Sequence, residues 1–280
     1  EEQTLMAALG RVFSSGHKVD WDAVYAGVSL PRAELPLYAF ERVSYWLEES
    51  ATALGGEESG HPLLGARSTV AGTSQRVYSN RISSQSPAWM QDHQVFEQIL
   101  VPGTAFLEMM GAACAGLSGD LEDVAISAPL VLNDGKSITV QTTLSDPDGA
   151  GKRTVGVFSR LSKDAEWTRH AQATWNGSAL SQVPAWSQSL PPAQATPMDL
   201  DAVYEQLDEK GLQYGPAFQG LRGAWRSGEA MWARIELPVS VLDGSEYGMH
   251  PALLDASLHG VALLTTLESS DESLYLPFAL

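Results

Sequence analysis

HQVFEQILVPGTAFLEMMGAACAGL at residues 93–117 and HPALLDASLHGVALL at residues 250–264 are the two stretches on which the fold turns. Each puts a proline at the entrance to an apolar run of helical period. In the first, Phe106, Met109, Met110, Ala113 and Leu117 recur at helical spacing, and Pro102 stands where a first turn tolerates it. Gly116 and Gly119 mark the end of that helix. In the second, Pro251 opens ALLDASLHGVALL. Each stretch also carries one acid–base side chain near its entrance: His93 before the first helix, Asp255 inside the second. A base and an acid on two similar units suggest proton shuttling across a shared cleft.

Working outward, residues 66–90 read as strand, broken by SPAW at 86–89, and His93 falls in the loop that follows. VAISAPLVL, SITVQTTL, RTVGVFSRL and EWTRHAQATW within 121–176 read as antiparallel strands. Asn133-Asp134-Gly135 and Asp146-Pro147-Asp148-Gly149 are turn signals between them. One helix followed by a meander of strands means a sheet wrapped on a helix, an α+β fold. Residues 177–198, rich in Ser, Pro, Gln and Ala, form a linker. DLDAVYEQLDEKG (199–211) reads as a short helix capped by Asp199 and stopped by Gly211. A turn at Tyr214-Gly215-Pro216, two strands (FQGLRGAWRS and EAMWARIELP), the second apolar helix and a closing strand, ESLYLPFAL, complete the chain. The second half thus repeats the first in outline. Residues 1–60 read as a tail or linker ending in the flexible GGEESG, and the main domain begins near His61.

The chain has 280 residues, 44% hydrophobic and 18% charged, enough for one large core or two modest ones. Its net charge of −17 and lack of any Lys/Arg run argue against a nucleic-acid or anionic-membrane partner. No stretch approaches the roughly 20 apolar residues of a membrane span, and the acidic start EEQTLMAALG is unlike a secretory signal. The one cysteine, Cys114, sits among small apolar residues and reads as a packing thiol. A cytoplasmic setting fits. The six histidines show no HxxxH or HExxH spacing, so no metal site is expected. No phosphate-binding glycine loop and no G-x-S-x-G elbow are present.

For His93 taken alone the plainer reading is a surface loop residue. Its spacing to Pro102-Gly103 favours another. A helix N-terminus offers free N–H groups and a positive dipole end. A carbonyl bound there has its enolate charge stabilised, and a neutral histidine nearby can take the adjacent proton. Asp255 is either a solvent-facing helix aspartate or a lined-cleft acid. His259, four residues on, shares its face and favours the cleft. Turn chemistry explains Gly215 and Pro216 and leaves the Tyr214 hydroxyl free as a donor. His17, His61 and His170 read as structural, and Trp89 as packing beneath His93.

Together these residues resemble the dehydratase domain of a modular type I polyketide synthase, over nearly the whole chain. HPLLGAR (61–67) resembles the family's opening strand, HQVFEQILVP (93–102) its HxxxGxxxxP motif, and QYGPAF (213–218) its GYGPxF. DASLH (255–259) matches DxxxQ/H, and LPF (276–278) the motif near the end. PLYAFERVSYWLE (36–48) looks like the linker that follows an acyltransferase domain. The resemblance implies a double hot-dog fold: two antiparallel sheets, each wrapped on a central helix. The halves would be 61–176 and 199–280, joined by linker 177–198 and preceded by post-acyltransferase linker 1–60. It implies further strands beyond Leu280. It implies a lyase that removes water from a β-hydroxyacyl group on acyl carrier protein, giving an α,β-unsaturated thioester. His93 would be the base and Asp255 the acid. Pro102 and Gly103 would line the substrate site, the backbone N–H of Gly103 binding the thioester carbonyl, and Tyr214 and His259 would orient substrate and acid. No cofactor is implied, the substrate riding on the carrier's phosphopantetheine arm. Partners would be the carrier, the other synthase domains and a second copy in a homodimer. Arg169, Arg222 and Arg226 are carrier-docking candidates by charge.

Two positions depart from the pattern. Glu97 stands where the first motif has glycine; a site needing positive φ would be strained by glutamate, and its charge beside His93 would favour imidazolium. Gln213 replaces the first glycine of GYGPxF. Two other activities remain open on these residues. One is a double-bond isomerase or cyclic-ether-forming variant of the fold; the other is an inactive dimerising scaffold, for which Glu97 argues.

Overall fold

The computed structural model describes residues 2–28, 56–133, 135–177, 191, 194–228 and 230–268, with side chains described from 3 to 260 of these. The closing ESLYLPFAL strand, the LPF motif and residues 36–48 lie outside the described residues. Contacts divide the chain into two units, Glu1–Trp46 and Leu47–Leu280. In the first, helix α1 (Glu2–Ser14) and the single turn α2 (Trp21–Val24) are described. The Phe13 and Trp21 rings meet edge to face at 5.5 Å, and the Asp20 carboxylate caps α2 by accepting from Ala23 N–H.

The second unit is built from strands β1 (Glu57–Glu58), β2 (Ala66–Thr69), β3 (Arg76–Ile82), β4 (His93–Val95) and β5 (Gln98–Ile99), then helix α3 (Gly103–Ala113). Strands β6 (Asp120–Ile126), β7 (Ile138–Leu144), β8 (Arg153–Arg160), β9 (Thr168–Asn176) and β10 (Thr196–Pro197) follow. Helix α4 (Leu200–Glu209), strands β11 (Leu212–Tyr214), β12 (Leu221–Ser227) and β13 (Ala230–Ile235), and helix α5 (Pro251–Glu268) complete it.

The largest sheet runs β1-β2-β3-β7-β8-β9-β6, with every neighbour antiparallel. β7 shows why it forms: in ITVQTTL every second side chain is buried, the period of a strand with one face on a core. That face meets α3. Phe106, Met109 and Met110 are at most 1% exposed, among Val140, Leu144, Val155 and Val157. Burying each such side chain contributes about 1.5–3 kcal/mol, which is what holds an 11-residue helix with no side-chain cap. The simple meander expected from the sequence is not what forms. β6 and β7 flank the Asn133–Gly135 turn signal, yet β6 crosses to the far edge beside β9.

A second helix repeats the arrangement. α5 lies against β12 and β13 of a three-stranded sheet ordered β10-β12-β13. β10 uses two residues that composition assigned to linker. α4 forms where expected: the Asp199 carboxylate accepts from Asp201 N–H, and Gly211 closes it at φ +84°.

The third sheet, β11-β4-β5, joins the halves. His93 is therefore not in a loop but is the first residue of the central strand of this sheet, opposite Tyr214 in β11. Three-residue strands carry no legible alternation, which is why the sequence hid both. The two helix entrances also touch: the Thr104 hydroxyl in α3 donates to the Pro251 carbonyl at the start of α5, 3.0 Å away, in a buried position.

Candidate active site

The β4 strand presents His93, 8% exposed, on the face it shares with Tyr214. Its Nδ1 lies 2.9 Å from the Leu100 carbonyl. A carbonyl only accepts, so Nδ1 carries the hydrogen and Nε2 keeps its lone pair, the tautomer of a base. The backbone reinforces this, because Leu100 N–H donates to the His93 carbonyl at 3.1 Å. Two residues later Pro102 caps α3 in extended conformation, with no side chain satisfying the first N–H groups of the helix. The entrance to α5 differs. There the His250 ring accepts from Ala252 N–H at 3.1 Å and closes that end. Of the two adjoining helix entrances, that of α3, where Gly103 is the first residue, is the one left open for an anion.

Tyr214 connects the halves. Its ring centroid is 5.7 Å from that of His93 and 4.1 Å from that of His259, whose Nε2 is 3.1 Å from an Asp255 carboxylate oxygen. Burial, with the Asp255 and Tyr204 charges adding to it, raises the Tyr214 hydroxyl well above the ordinary tyrosine value, so it stays an O–H donor. Asp255 is 7% exposed and His259 1%. The spacing of four on α5 puts them on one face, as the sequence implied. Nδ1 of His259 is buried without a hydrogen-bond partner. His93, Tyr214, His259 and Asp255 thus form one continuous side-chain series beside the entrances of α3 and α5, and Pro102 and Gly103 mark one of those entrances.

Several residues that sequence reasoning missed hold this series. The Asp92 carboxylate accepts from Ala217 N–H at 2.8 Å, and its carbonyl accepts from Gly215 N–H at 2.8 Å, tying the Tyr214–Phe218 loop to the histidine's strand. A Cβ on Gly215 would stand 2.6 Å from the Asp92 carboxyl carbon, so any other residue there would have to push the Asp92 side chain aside. Phe218, fully buried, lies 5.1 Å ring to ring from His93, and Tyr204 meets His259 edge to face at 5.9 Å. No motif pointed to Asp92 or Tyr204; adjacency to His93 was the one clue for the former. A cavity of about 660 Å³ lies alongside, lined by Gln91, Gln94, Tyr204, Glu205, Gln213 and Tyr214 among others. Neither His93 nor Asp255 lines it, and Gln94 is on the opposite face of β4 from His93, so this cavity neighbours the series rather than holding it.

Glu97 and Phe96 form the two-residue loop between β4 and β5, with φ of 63° and 49°. The glycine position of the motif does require positive φ, and glutamate there carries a left-handed cost of about 1–2 kcal/mol. The Glu97 residue is exposed at the hairpin tip. Cys114 is buried and its thiol is pushed up to about 11 by that burial, which makes it inert. His61 and His170 are indeed in structural contacts. His170 lies between the Ser159 hydroxyl and the Ala128 carbonyl, and burial lowers its pKa. Trp89 is buried, donating to the Tyr247 hydroxyl at 3.0 Å. Arg222 and Arg226 point into local carbonyl contacts on and beside β12, and Arg169 bonds Gln172. Among the described residues no group of three or more His, Cys, Asp or Glu side chains is placed to hold a metal, and no helix is long and apolar enough to cross a membrane.

Residues 61–160 match the family described as polyketide synthase dehydratase domain, and residues 184–280 match that described as polyketide synthase dehydratase N-terminal domain. A solved structure from work on dehydratase substrate selection in the borrelidin and fluvirucin polyketide synthases is 36% identical. It superposes with a TM-score of 0.72 over 82% of this chain and 81% of that one. The chain is a dehydratase domain of the type I polyketide synthase family. Its architecture is the double hot-dog of those relatives, α+β, with α3 and α5 each packed on antiparallel strands. This dehydratase domain is also 37% identical to a bifunctional dehydratase-cyclase domain from ambruticin biosynthesis, with a TM-score of 0.68 over 78% of this chain and 77% of that one. Among whole synthases, polyketide synthase GfsA of Streptomyces halstedii is 40% identical over 274 residues, 93% of this chain but 4% of its own length. The dehydratase domain therefore corresponds to a small part of the curated relatives it matches.

Proposed function

We propose that this domain is an active hydro-lyase that converts a 3-hydroxyacyl thioester into the α,β-unsaturated thioester during polyketide assembly. The substrate would be carried on the phosphopantetheine arm of an acyl carrier protein. The observation that carries this reading is the series His93–Tyr214–His259–Asp255 at the adjoining entrances of α3 and α5. His93 Nε2 takes the C2 proton while the open N-terminus of α3, at Pro102-Gly103, receives the charge that develops on the thioester oxygen. The C2–H electron pair becomes the C2=C3 bond, the C3–O bond breaks, and Asp255 protonates the leaving hydroxyl, which departs as water. Proton exchange then returns His93 and Asp255 to their starting states. His259 orients the Asp255 carboxyl, and Tyr214 offers a neutral O–H to the substrate. No cofactor enters, because the thioester itself acidifies C2.

In this reading residues 1–60 are the linker following an acyltransferase domain, 61–176 and 199–280 the two hot dogs, and 177–198 their connection, with β1 (Glu57–Glu58) and β10 (Thr196–Pro197) drawn from those linkers into the sheets. The domain works as a homodimer in the cytoplasm, beside the other domains of its synthase. A second reading is dehydration followed by or replaced with cyclic-ether closure or double-bond isomerisation; the likeness to the dehydratase-cyclase domain favours its ring-closing form.

One experiment separates these. A carrier protein loaded with a 3-hydroxyacyl chain is mixed with the domain and followed by mass spectrometry. Loss of one water that vanishes in His93→Ala and Asp255→Asn supports dehydration. A carrier loaded instead with a 2-enoyl chain bearing a distal hydroxyl tests the variant: a product of the same mass as that substrate, with a moved double bond or a new ring, supports it. No turnover from a domain that is dimeric by sedimentation supports an inactive scaffold and overturns the proposal.

A further inference from the structure

The two departures from the family's motifs, Glu97 and Gln213, are 116 residues apart in the chain and meet in space: Glu97 N–H donates to Gln213 Oε1 at 2.8 Å. Neither residue of the β4–β5 loop is glycine, yet both have positive φ, as a type I′ turn demands. Segment 211–213 holds that turn from the side. Phe96 N–H donates to the Gly211 carbonyl at 2.8 Å. The Phe96 ring occupies the space a Cβ on Gly211 would need, 2.5 Å from its position. The Gln213 amide supplies the remaining bond. The same strand pairing sets Tyr214 opposite His93 and Gln213 opposite Gln94. Whatever fixes the tip therefore fixes the lateral position of β4, and with it the ring on its first residue.

We infer that Gln213 is a positioning residue for His93: its side-chain amide clamps the left-handed turn at Glu97, and so holds the imidazole against Tyr214 and Leu100. The clamp matters because residue 97 is not glycine; a glycine there adopts the turn unaided. The inference rests on the reading of His93 as the base, but the clamp is measurable without turnover.

The test is a double-mutant cycle in the full 280-residue chain, with Gln213→Met, which keeps the stem and removes the acceptor, Glu97→Gly, and the two combined. Long-range ¹H–¹⁵N spectra of the His93 ring report its tautomer. The wild-type ring is a single Nδ1–H tautomer, Gln213→Met mixes or broadens it, and the double variant restores it. In turnover of the carrier-bound 3-hydroxyacyl substrate, Gln213→Met lowers kcat/KM by about three- to tenfold, the weight of one such hydrogen bond. Adding Glu97→Gly recovers most of that loss. Gln213→Gly behaves as Gln213→Met does. Equal effects of Gln213→Met in both backgrounds, or a His93 spectrum untouched by it, overturn the inference. A coupled spectral cycle in a chain without turnover instead overturns the dehydratase reading and leaves the clamp standing.

Discussion

Each Pro-led helix carries one buried carboxylate in its second turn, and the two are treated in opposite ways. Glu108 on α3, 9% exposed, accepts from His61 Nε2 at 3.0 Å, from Gly248 N–H at 2.6 Å and from Met249 N–H at 3.0 Å. His61 Nδ1 accepts from Leu63 N–H, so Nε2 carries the hydrogen that Glu108 receives. Burial pushes the Glu108 carboxyl up, but the His61 bond and the two backbone N–H groups outweigh it and leave it below its ordinary value. Asp255 on α5 is as deeply buried but has one described hydrogen bond, to His259. A carboxylate whose acceptor capacity is filled is a strut, here between α3 and the segment that leads into α5. One with capacity to spare can meet a substrate. Position in the helix and burial do not distinguish the two; the count of donors does.

Removing the charge at each position should break the likeness cleanly. Asp255→Asn is expected to lower kcat/KM by about 10²–10⁴-fold, the range of general acid catalysis, with the urea midpoint little changed because the amide oxygen still faces His259. Glu108→Ala is expected to cost about 1–3 kcal/mol of stability at pH 7, since it takes the acceptor from the Gly248 and Met249 N–H groups and from His61. Its acid dependence has a definite sign. A carboxyl lowered in the native state stabilises fully above its ordinary value of 4.5 and loses that contribution as pH falls through its native value. The gap between wild type and Glu108→Ala, read from urea curves, should therefore be full above pH 4.5 and narrow as pH falls below it. Turnover lost in Glu108→Ala at full stability, or stability lost in Asp255→Asn at full turnover, would reverse the roles. A smaller effect sharpens the Asp255 side. His259→Leu should lower kcat/KM about tenfold by freeing the carboxyl, and His259→Gln, which restores an N–H donor, should recover most of it.

The contrast was half legible in the sequence. Asp255 stands out because His259 follows at a spacing of four, a local pattern. Glu108 has no such companion; its partners are 47 and 140 residues away, and nothing local marks them. The same divide runs through the fold. Long elements announce themselves: the alternation of β7, the helical period of α3, the Asp199 cap and Gly211 stop of α4. The sheet that places His93 opposite Tyr214 is made of strands two and three residues long. Strands that short are specified by partners distant in sequence, and so the histidine read as a loop residue. The Asn133–Gly135 signal misled for a related reason. A turn sequence fixes a reversal of the chain, not which strands pair across it.

The smallest expected effect concerns the hairpin tip. A non-glycine residue in left-handed conformation costs about 1–2 kcal/mol, and Glu97 at φ 63° bears that cost. Glycine removes it but adds about 0.5–1 kcal/mol of unfolded-chain entropy. Glu97→Gly should therefore stabilise the domain by up to about 1.5 kcal/mol, a rise in Tm of at most about 6 °C at this size. Turnover should be equal or higher, because the exposed Glu97 carboxyl is at the tip of the turn, away from the buried His93 ring. Phe96→Gly relieves the same backbone cost but loses the ring against Gly211, so it should gain less or lose stability outright. Calorimetry on the two variants checks the pair. A drop in Tm for Glu97→Gly would mean that the glutamate makes a contact worth more than the backbone strain it carries, and the hairpin would then belong with Glu108 as a strut rather than with the adjustable side of the site.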